Sequence, residues 1–172
     1  TKDSIKTFAV LGNHDVMFLG KKGKRKFQRR FSNHKSTGYY TVQDSVAVVM
    51  LNSNFKKMSK AERLVQEMWY DSTLKQLNTS NAIKSIIVCC HHSPFSNSTV
   101  VGSNKKVQAN FVSSFKQTAK CKLFLSGHSH NFERFVIDGK NYVVIGGGGG
   151  IKQPLNTGAT SLPDKEAAYK PM

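Results

Sequence analysis

Carboxylates are scarce in this chain: ten Asp and Glu stand against 26 Lys and Arg, giving a formal charge of +16 over 172 residues. That balance excludes an acidic, self-solvating chain. It leaves two readings: a surface that neutralises the phosphates of a polyanion, or a protein whose acidic part lies elsewhere. Long apolar runs are also missing. None approaches the ~20 residues that a membrane-crossing helix needs, so no membrane span is expected. Cysteine is confined to Cys89, Cys90 and Cys121, an odd number without metal-ligand spacing. Two of these sit in an apolar run, which reads as packed thiols rather than a disulfide framework. No internal repeat or secretory leader is visible. What is present is ordinary for a folded domain: 38% hydrophobic residues in a chain long enough to bury a sizeable core.

Read in order, the chain alternates short apolar runs with polar turns. Ile5 to Leu11 reads as a strand stopped by Gly12, with Asn13, His14 and Asp15 crowded just beyond it. Lys21 to Arg30 holds seven basic residues. It reads as a solvated loop or helix face, with a basic rim over an anion site as the sharper alternative. Tyr39 to Val42 and Val46 to Leu51 are β-branched and aromatic, joined through Gln43-Asp44-Ser45. Asn52-Ser53-Asn54 breaks the second of them. Ser59 to Glu62 has the S-x-x-E form of a capping box. After it Leu64, Val65, Met68 and Trp69 recur at helical spacing, extended by Leu74 and Leu77, and read as a core stripe.

Ile86 to Cys90 is continuously apolar, as in a central strand buried on both faces, and runs directly into His91-His92-Ser93-Pro94. Val107 to Thr118 reads as an amphipathic helix with Phe111, Val112 and Phe115 inward. Leu123 to Ser126 reads as another buried strand, leading into Gly127-His128-Ser129-His130. Asp138-Gly139 between Phe132–Ile137 and Tyr142–Ile145 is a hairpin signal. Residues 1–150 read as one domain, and 151–172 as a polar, loop-like tail that follows five glycines.

Three strand ends therefore carry metal-capable groups: Asn13 with His14, His91 with His92, and His128 with His130. In open α/β sheets ligands gather at the carboxyl ends of strands. The H-x-H spacing puts two imidazoles on one side of an extended segment; alone it is equally a pair of surface histidines. Imidazole nitrogen and amide oxygen suit Zn, Mn or Fe. Imidazoles alone hold two adjacent cations poorly, because charges about 3.5–4 Å apart repel and call for carboxylates.

The order GNHD, HH-x-P, GH-x-H resembles the calcineurin-like metallophosphoesterase family over roughly Lys6 to Gly150. The run GHSHNFER is similar to its purple acid phosphatase-like branch. The resemblance implies the carboxyl-terminal portion of a four-layer α/β sandwich, two mixed sheets flanked by helices. It implies two divalent or trivalent metal ions and hydrolysis of small-molecule phosphate esters by a hydroxide bridging the metals. Position by position, it implies that Asn13, His91 and His128 bind the second metal and His130 the first. His14 faces the substrate, stabilising the phosphoryl group or protonating the leaving oxygen. Asp15 orients the turn, His92 is structural, and Glu133 with Arg134 forms a supporting ion pair. His34 has no partner motif and is expected at the surface. Members with the Glu-Arg extension also suggest an extracytoplasmic location.

One part of the family pattern is missing. D-x-H and the Gly-Asp motif whose Asp bridges both metals precede GNHD in the family. Here no Asp follows a Gly, and none stands two residues before a His. A two-metal site is thus not expected to close in this chain alone, and Thr1 is expected to be an internal residue of a longer protein. That expectation accounts for part of the positive charge and disfavours nucleic acid as the partner. The alternative is a non-catalytic polyanion- or nucleic-acid-binding remnant of the same fold. Mono- or diesterase activity, metal identity and oligomeric state stay open at this stage.

Overall fold

Strands β1 Tyr39–Gln43, β2 Val46–Met50, β3 Ser85–Cys89, β4 Cys121–Ser126, β5 Phe132–Ile137 and β6 Lys140–Ile145 form one mixed sheet in the computed structural model. Its strand order is β1-β2-β3-β4-β6-β5, and the structure describes residues 7–18 and 20–163. Antiparallel hairpins β1–β2 and β5–β6 form the two edges. Their turns put Asp44 at φ 52°, and Asp138 and Gly139 at 51° and 72°. Positive φ at both central residues, as at Asp138-Gly139, and at the first alone, as at Asp44, are the two patterns of two-residue turns that match the twist of their strands. Between the hairpins β2, β3, β4 and β6 are mutually parallel, so all four bring their carboxyl ends to one rim.

Parallel neighbours need crossovers, and helices supply two of them. Helix α1, Asn13–Val16, and helix α2, Gly20–Arg30, precede the sheet; helix α3, Lys60–Thr79, links β2 to β3. A helix made of α4 Lys105–Val107, a π-turn Gln108–Val112 and α5 Ser113–Gln117 links β3 to β4. The capping box closes both ways at the start of α3. Ser59 Oγ accepts from Glu62 N at 3.1 Å, and Glu62 Oε2 accepts from Ser59 N at 2.7 Å.

The core fills the space between these helices and one sheet face. Val49, Ile86, Val88, Phe124, Phe135 and Tyr142 meet Tyr70, Leu74, Phe111 and Phe115 there, all nearly or fully buried. Burial of each such side chain contributes about 1.5–3 kcal/mol. The inward side of α3 differs from the expected one. Leu64, Val65 and Met68 are exposed, at 56%, 52% and 64%, whereas Gln66, Tyr70, Thr73, Leu74 and Leu77 are buried. The helical period holds but its phase is set by hydrogen bonds. Gln66 Oε1 accepts from Asn52 N and its Nε2 donates to Asn52 O, at 2.8 and 3.0 Å, while Tyr70 donates to Phe111 O at 3.2 Å.

Three further expectations change. β3 alternates buried with half-buried residues instead of being sealed on both sides. Across its second face Ile87, Leu123, Leu125 and Val143 stay half-buried, and Phe132 and Ile145 are exposed. Thr7 to Leu11 is not a strand; Ile5 and Lys6 lie outside the described residues. Side chains take the place of a ladder, since Tyr39 Oη accepts from Ala9 N and donates to Ala9 O. Asn54 Nδ2 donates to Leu11 O. His34 is buried, not at the surface, with its ring against Phe27 and Tyr39.

The three thiols are free, and burial pushes Cys89 and Cys121 up to about 12, as packed thiols behave. Residues 151–163 are irregular but tied down, with Asn156 N donating to Asn97 O and Thr99 N to Pro154 O. Residues 164–172 lie outside the described residues.

Candidate metal centre

Four parallel strands opening on one rim bring together what the sequence separates. β2 delivers Asn52-Ser53-Asn54, β3 delivers His91-His92, β4 delivers His128 to His130, and β6 delivers the glycines from Gly146. The two histidine turns are laced by backbone bonds: Cys90 N donates to Leu125 O and Gly127 N to His91 O, at 3.1 and 3.0 Å. Ser93 Oγ adds a bond to Gly127 O at 2.8 Å.

At the centre, His91 Nε2 stands 2.7 Å from Asn13 Oδ1 and 3.1 Å from His128 Nδ1. These come from the turn after Gly12, from β3 and from β4. His128 adopts φ 67°, a left-handed conformation open to His but uncommon outside Gly and Asn. A Cβ on Gly12 would come within 3.3 Å of the His91 ring, so the bare glycine lets the Asn13 turn close on that imidazole. One N–H at Nε2 can serve only one of its two neighbours. Three electron-pair donors thus crowd one point, and a cation would satisfy them all at once.

His92 faces the same point. Its ring centroid lies 4.5 Å from that of His128, and the ligand atoms of His91, His92 and His128 all lie within 4.8 Å of one another. Donors on one tetrahedral ion stand about 3.4 Å apart, since each bond is about 2.0–2.1 Å. His92 Nδ1 is held by Ser53 Oγ at 2.8 Å, and its backbone N–H donates to the same hydroxyl. Binding one ring nitrogen fixes the tautomer and aims the other, as beside metals generally.

Burial, then the neighbouring imidazoles, lowers His91 to about 3. Burial and His128 lower His92 to about 4. Burial, then His130 and His14, lowers His128. All three are neutral near pH 7, with lone pairs free for a metal.

His14 and His130 line a cavity of about 270 Å³ shared with Asn13, His91 and His128. The structure therefore brings all five predicted residues to one cavity. His130 stands apart from the cluster: its Nδ1 donates to Ile151 O at 2.9 Å, leaving Nε2 as the free donor. The glycine run packs directly against this turn. A Cβ on Gly150 would lie 2.4 Å from the His130 ring, and one on Gly146 only 1.6 Å from Ser129 O. Asp15 Oδ2 accepts from Gly12 N at 2.8 Å, closing its own turn.

Glu133 and Arg134 leave opposite sides of β5. Glu133 is fully buried and accepts from Ser96 Oγ and Asn97 N, each at 2.6 Å, whereas Arg134 is exposed and reaches toward Asn141. Sequence reading missed Ser53 and Asn54, taken only as strand breakers. The signal was available, since they too stand at a strand's carboxyl end.

The residues fit one cation: three imidazoles and an amide oxygen form a borderline, nitrogen-rich set. No carboxylate joins the cluster among the described residues, so the donors around His130 do not complete a second ion.

A family model described as calcineurin-like phosphoesterase matches residues 1–132. A comparison with curated proteins finds no match. Among solved structures, the chain is similar to "GAP50 the anchor in the inner membrane complex of Plasmodium", with a TM-score of 0.54 and 19% identity. The alignment covers 70% of this chain and 41% of that one. At that identity the likeness bears on the fold alone, and the chain spans about 41% of the length of that relative.

Proposed function

The chain belongs to the calcineurin-like phosphoesterase family, and from that premise we propose that it carries the histidine-rich half of a centre for metal-dependent hydrolysis of phosphate esters. The convergence of Asn13 Oδ1, His91 Nε2 and His128 Nδ1, at 2.7 and 3.1 Å, supports this reading most directly. In the proposal these three hold one cation, with His92 as a further imidazole at its edge. His130 offers Nε2 toward a second, whose acidic donors come from outside the described residues. The cations, Zn, Mn or Fe by the donor set, supply Lewis-acid charge neutralisation and an activated water nucleophile when bound. His14, exposed on the shared cavity, donates a proton to the departing oxygen. Asp15 keeps its turn closed. The run from Gly127 to Arg134 supports placement in the purple acid phosphatase-like branch.

A second reading is a metal-holding but non-catalytic scaffold. The shortage of carboxylates around the cluster and the charge of +16 favour it, and the structural relative is itself named as an anchor. Calorimetric titration with Zn²⁺ or Mn²⁺, followed by p-nitrophenyl phosphate turnover, separates the two. Hydrolysis expects cation uptake that disappears in Asn13→Ala and His128→Ala, and turnover that disappears in His14→Ala once the acidic donors are supplied. Uptake without turnover in that completed protein supports the scaffold, and no uptake at all overturns both.

A further inference from the structure

The cluster has a second side that the hydrolytic reading leaves unused. Asn13 and His128 also wall a cavity of about 320 Å³ that His14 and His130 do not reach. Lys56, Lys57 and Lys106 line it, and Val16, Met17 and Phe55 form an apolar wall. No carboxylate lines it among the described residues, so nothing there neutralises the lysines. Lys57 also borders the next cavity, lined by Lys21, Arg25 and the ion-paired Lys24 and Glu62, whose Nζ to Oε1 distance is 3.2 Å.

The lysines come from two segments. Lys56 and Lys57 lie on the 3₁₀ turn just after β2, and Lys106 on α4. Lysines from separate elements lining one small cavity offer ammonium groups to a compact anion. A single phosphate held at Asn13 and His128 would leave these charges unmatched.

We infer that the substrate is a phosphate ester carrying a second phosphoryl group and an apolar body, the scissile phosphate at the cation position of Asn13 and His128, which line both this cavity and that of His14, and the distal one among Lys56, Lys57 and Lys106. This inference rests on the hydrolytic reading of the same cluster. Planar or apolar parts of the molecule lie against Val16, Met17 and Phe55. A nucleoside diphosphate and a bisphosphorylated sugar share the charge pattern, and only the nucleotide has a flat apolar ring.

The test is equilibrium binding to the full chain, measured by calorimetry with and without added Zn²⁺. The probes are orthophosphate, pyrophosphate, AMP, ADP and fructose 1,6-bisphosphate. ADP is expected to bind at least about tenfold tighter than AMP, and pyrophosphate tighter than orthophosphate, since one charge-assisted contact is worth about a factor of ten. Lys56→Gln with Lys106→Gln should erase that preference, while Zn²⁺ uptake and the melting temperature stay unchanged. Lys57→Gln alone should reduce it. Lys21→Gln with Arg25→Gln should leave it intact.

ADP above fructose 1,6-bisphosphate assigns the apolar wall to a base and supports the inference. Equal binding of the two overturns the apolar body of the substrate. Equal affinity for AMP and ADP overturns the inference while intact Zn²⁺ uptake leaves the hydrolytic reading standing. An equal loss from the Lys21 and Arg25 pair also overturns it, in favour of an extended polyanion track. Absent Zn²⁺ uptake removes the metal reading instead.

Discussion

Buried histidine occurs in two settings here, and the contrast shows what burial does not decide. His91, His92 and His128 lose water but gain one another, a serine hydroxyl and an asparagine oxygen. His34 loses water and gains rings: Phe27 and Tyr39 flank it, and its Nδ1 has no hydrogen-bond partner among the described residues. Both settings lower the imidazole pKa through desolvation, with nearby Lys24 adding to the effect at His34. Only the first concentrates lone pairs on a point. Convergence of donors, rather than burial or a shifted pKa, marks a site that could hold a metal.

The strongest way to break the comparison is to remove a converging donor. Asn13→Ala or His128→Ala should weaken Zn²⁺ binding by more than about a hundredfold, beyond the 10–100-fold seen when a supporting partner is lost. Competition with a chromophoric chelator measures it. His128→Asn separates donor from turn, since Asn also accepts φ near 67°, and should keep the melting temperature while losing the affinity.

A smaller effect is expected from Ser53→Ala, which frees His92 Nδ1 without removing a ring. Zn²⁺ affinity should fall about tenfold, as for other residues that orient ligands, and an unchanged affinity would exclude His92 from the cluster. Gly150→Ala drives a methyl toward the His130 ring. It should shift the His130 resonances in NMR spectra and leave Zn²⁺ binding at Asn13, His91 and His128 within about threefold, because that trio makes no bond to Gly150.

The smallest effect belongs to His34. Its folded-state pKa lies below 6.5, so between the two values the unfolded chain binds more protons and stability rises with pH. Its contribution is complete above about pH 6.5 and is lost as pH falls below it. His34→Leu should therefore flatten the fall in melting temperature between pH 7.5 and 5 relative to the parent, by less than about 1 kcal/mol. An identical acid limb in both would show that His34 is accessible to water.

Much of this was legible in the sequence because it depends on local chemistry. The Ser59 capping box, the Asp138-Gly139 hairpin and the inward Phe111, Val112 and Phe115 are patterns a few residues long, and the structure contains each. Misreadings arose where distant partners decide. The phase of α3 is set by Gln66 reaching the Asn52 backbone, which apolar periodicity cannot register. His34 became buried because α2 and β1 close aromatic rings around it. Thr7 to Leu11 reads as a strand by composition, yet its backbone is claimed by Tyr39 and Asn54. At the candidate metal centre the residue types and strand ends could be read directly. That His92 turns toward the cluster, steadied by Ser53, required the sheet to set β2 beside β3.

The left-handed turn at His128 has an evolutionary corollary. Because glycine or asparagine would tolerate that backbone, one substitution can remove the imidazole and leave the sheet intact. A relative built on this scaffold can therefore lose the imidazole and keep its shape. Fold and overall likeness are therefore silent on whether a relative keeps a nitrogen ligand at this corner; that is read only from the residue itself.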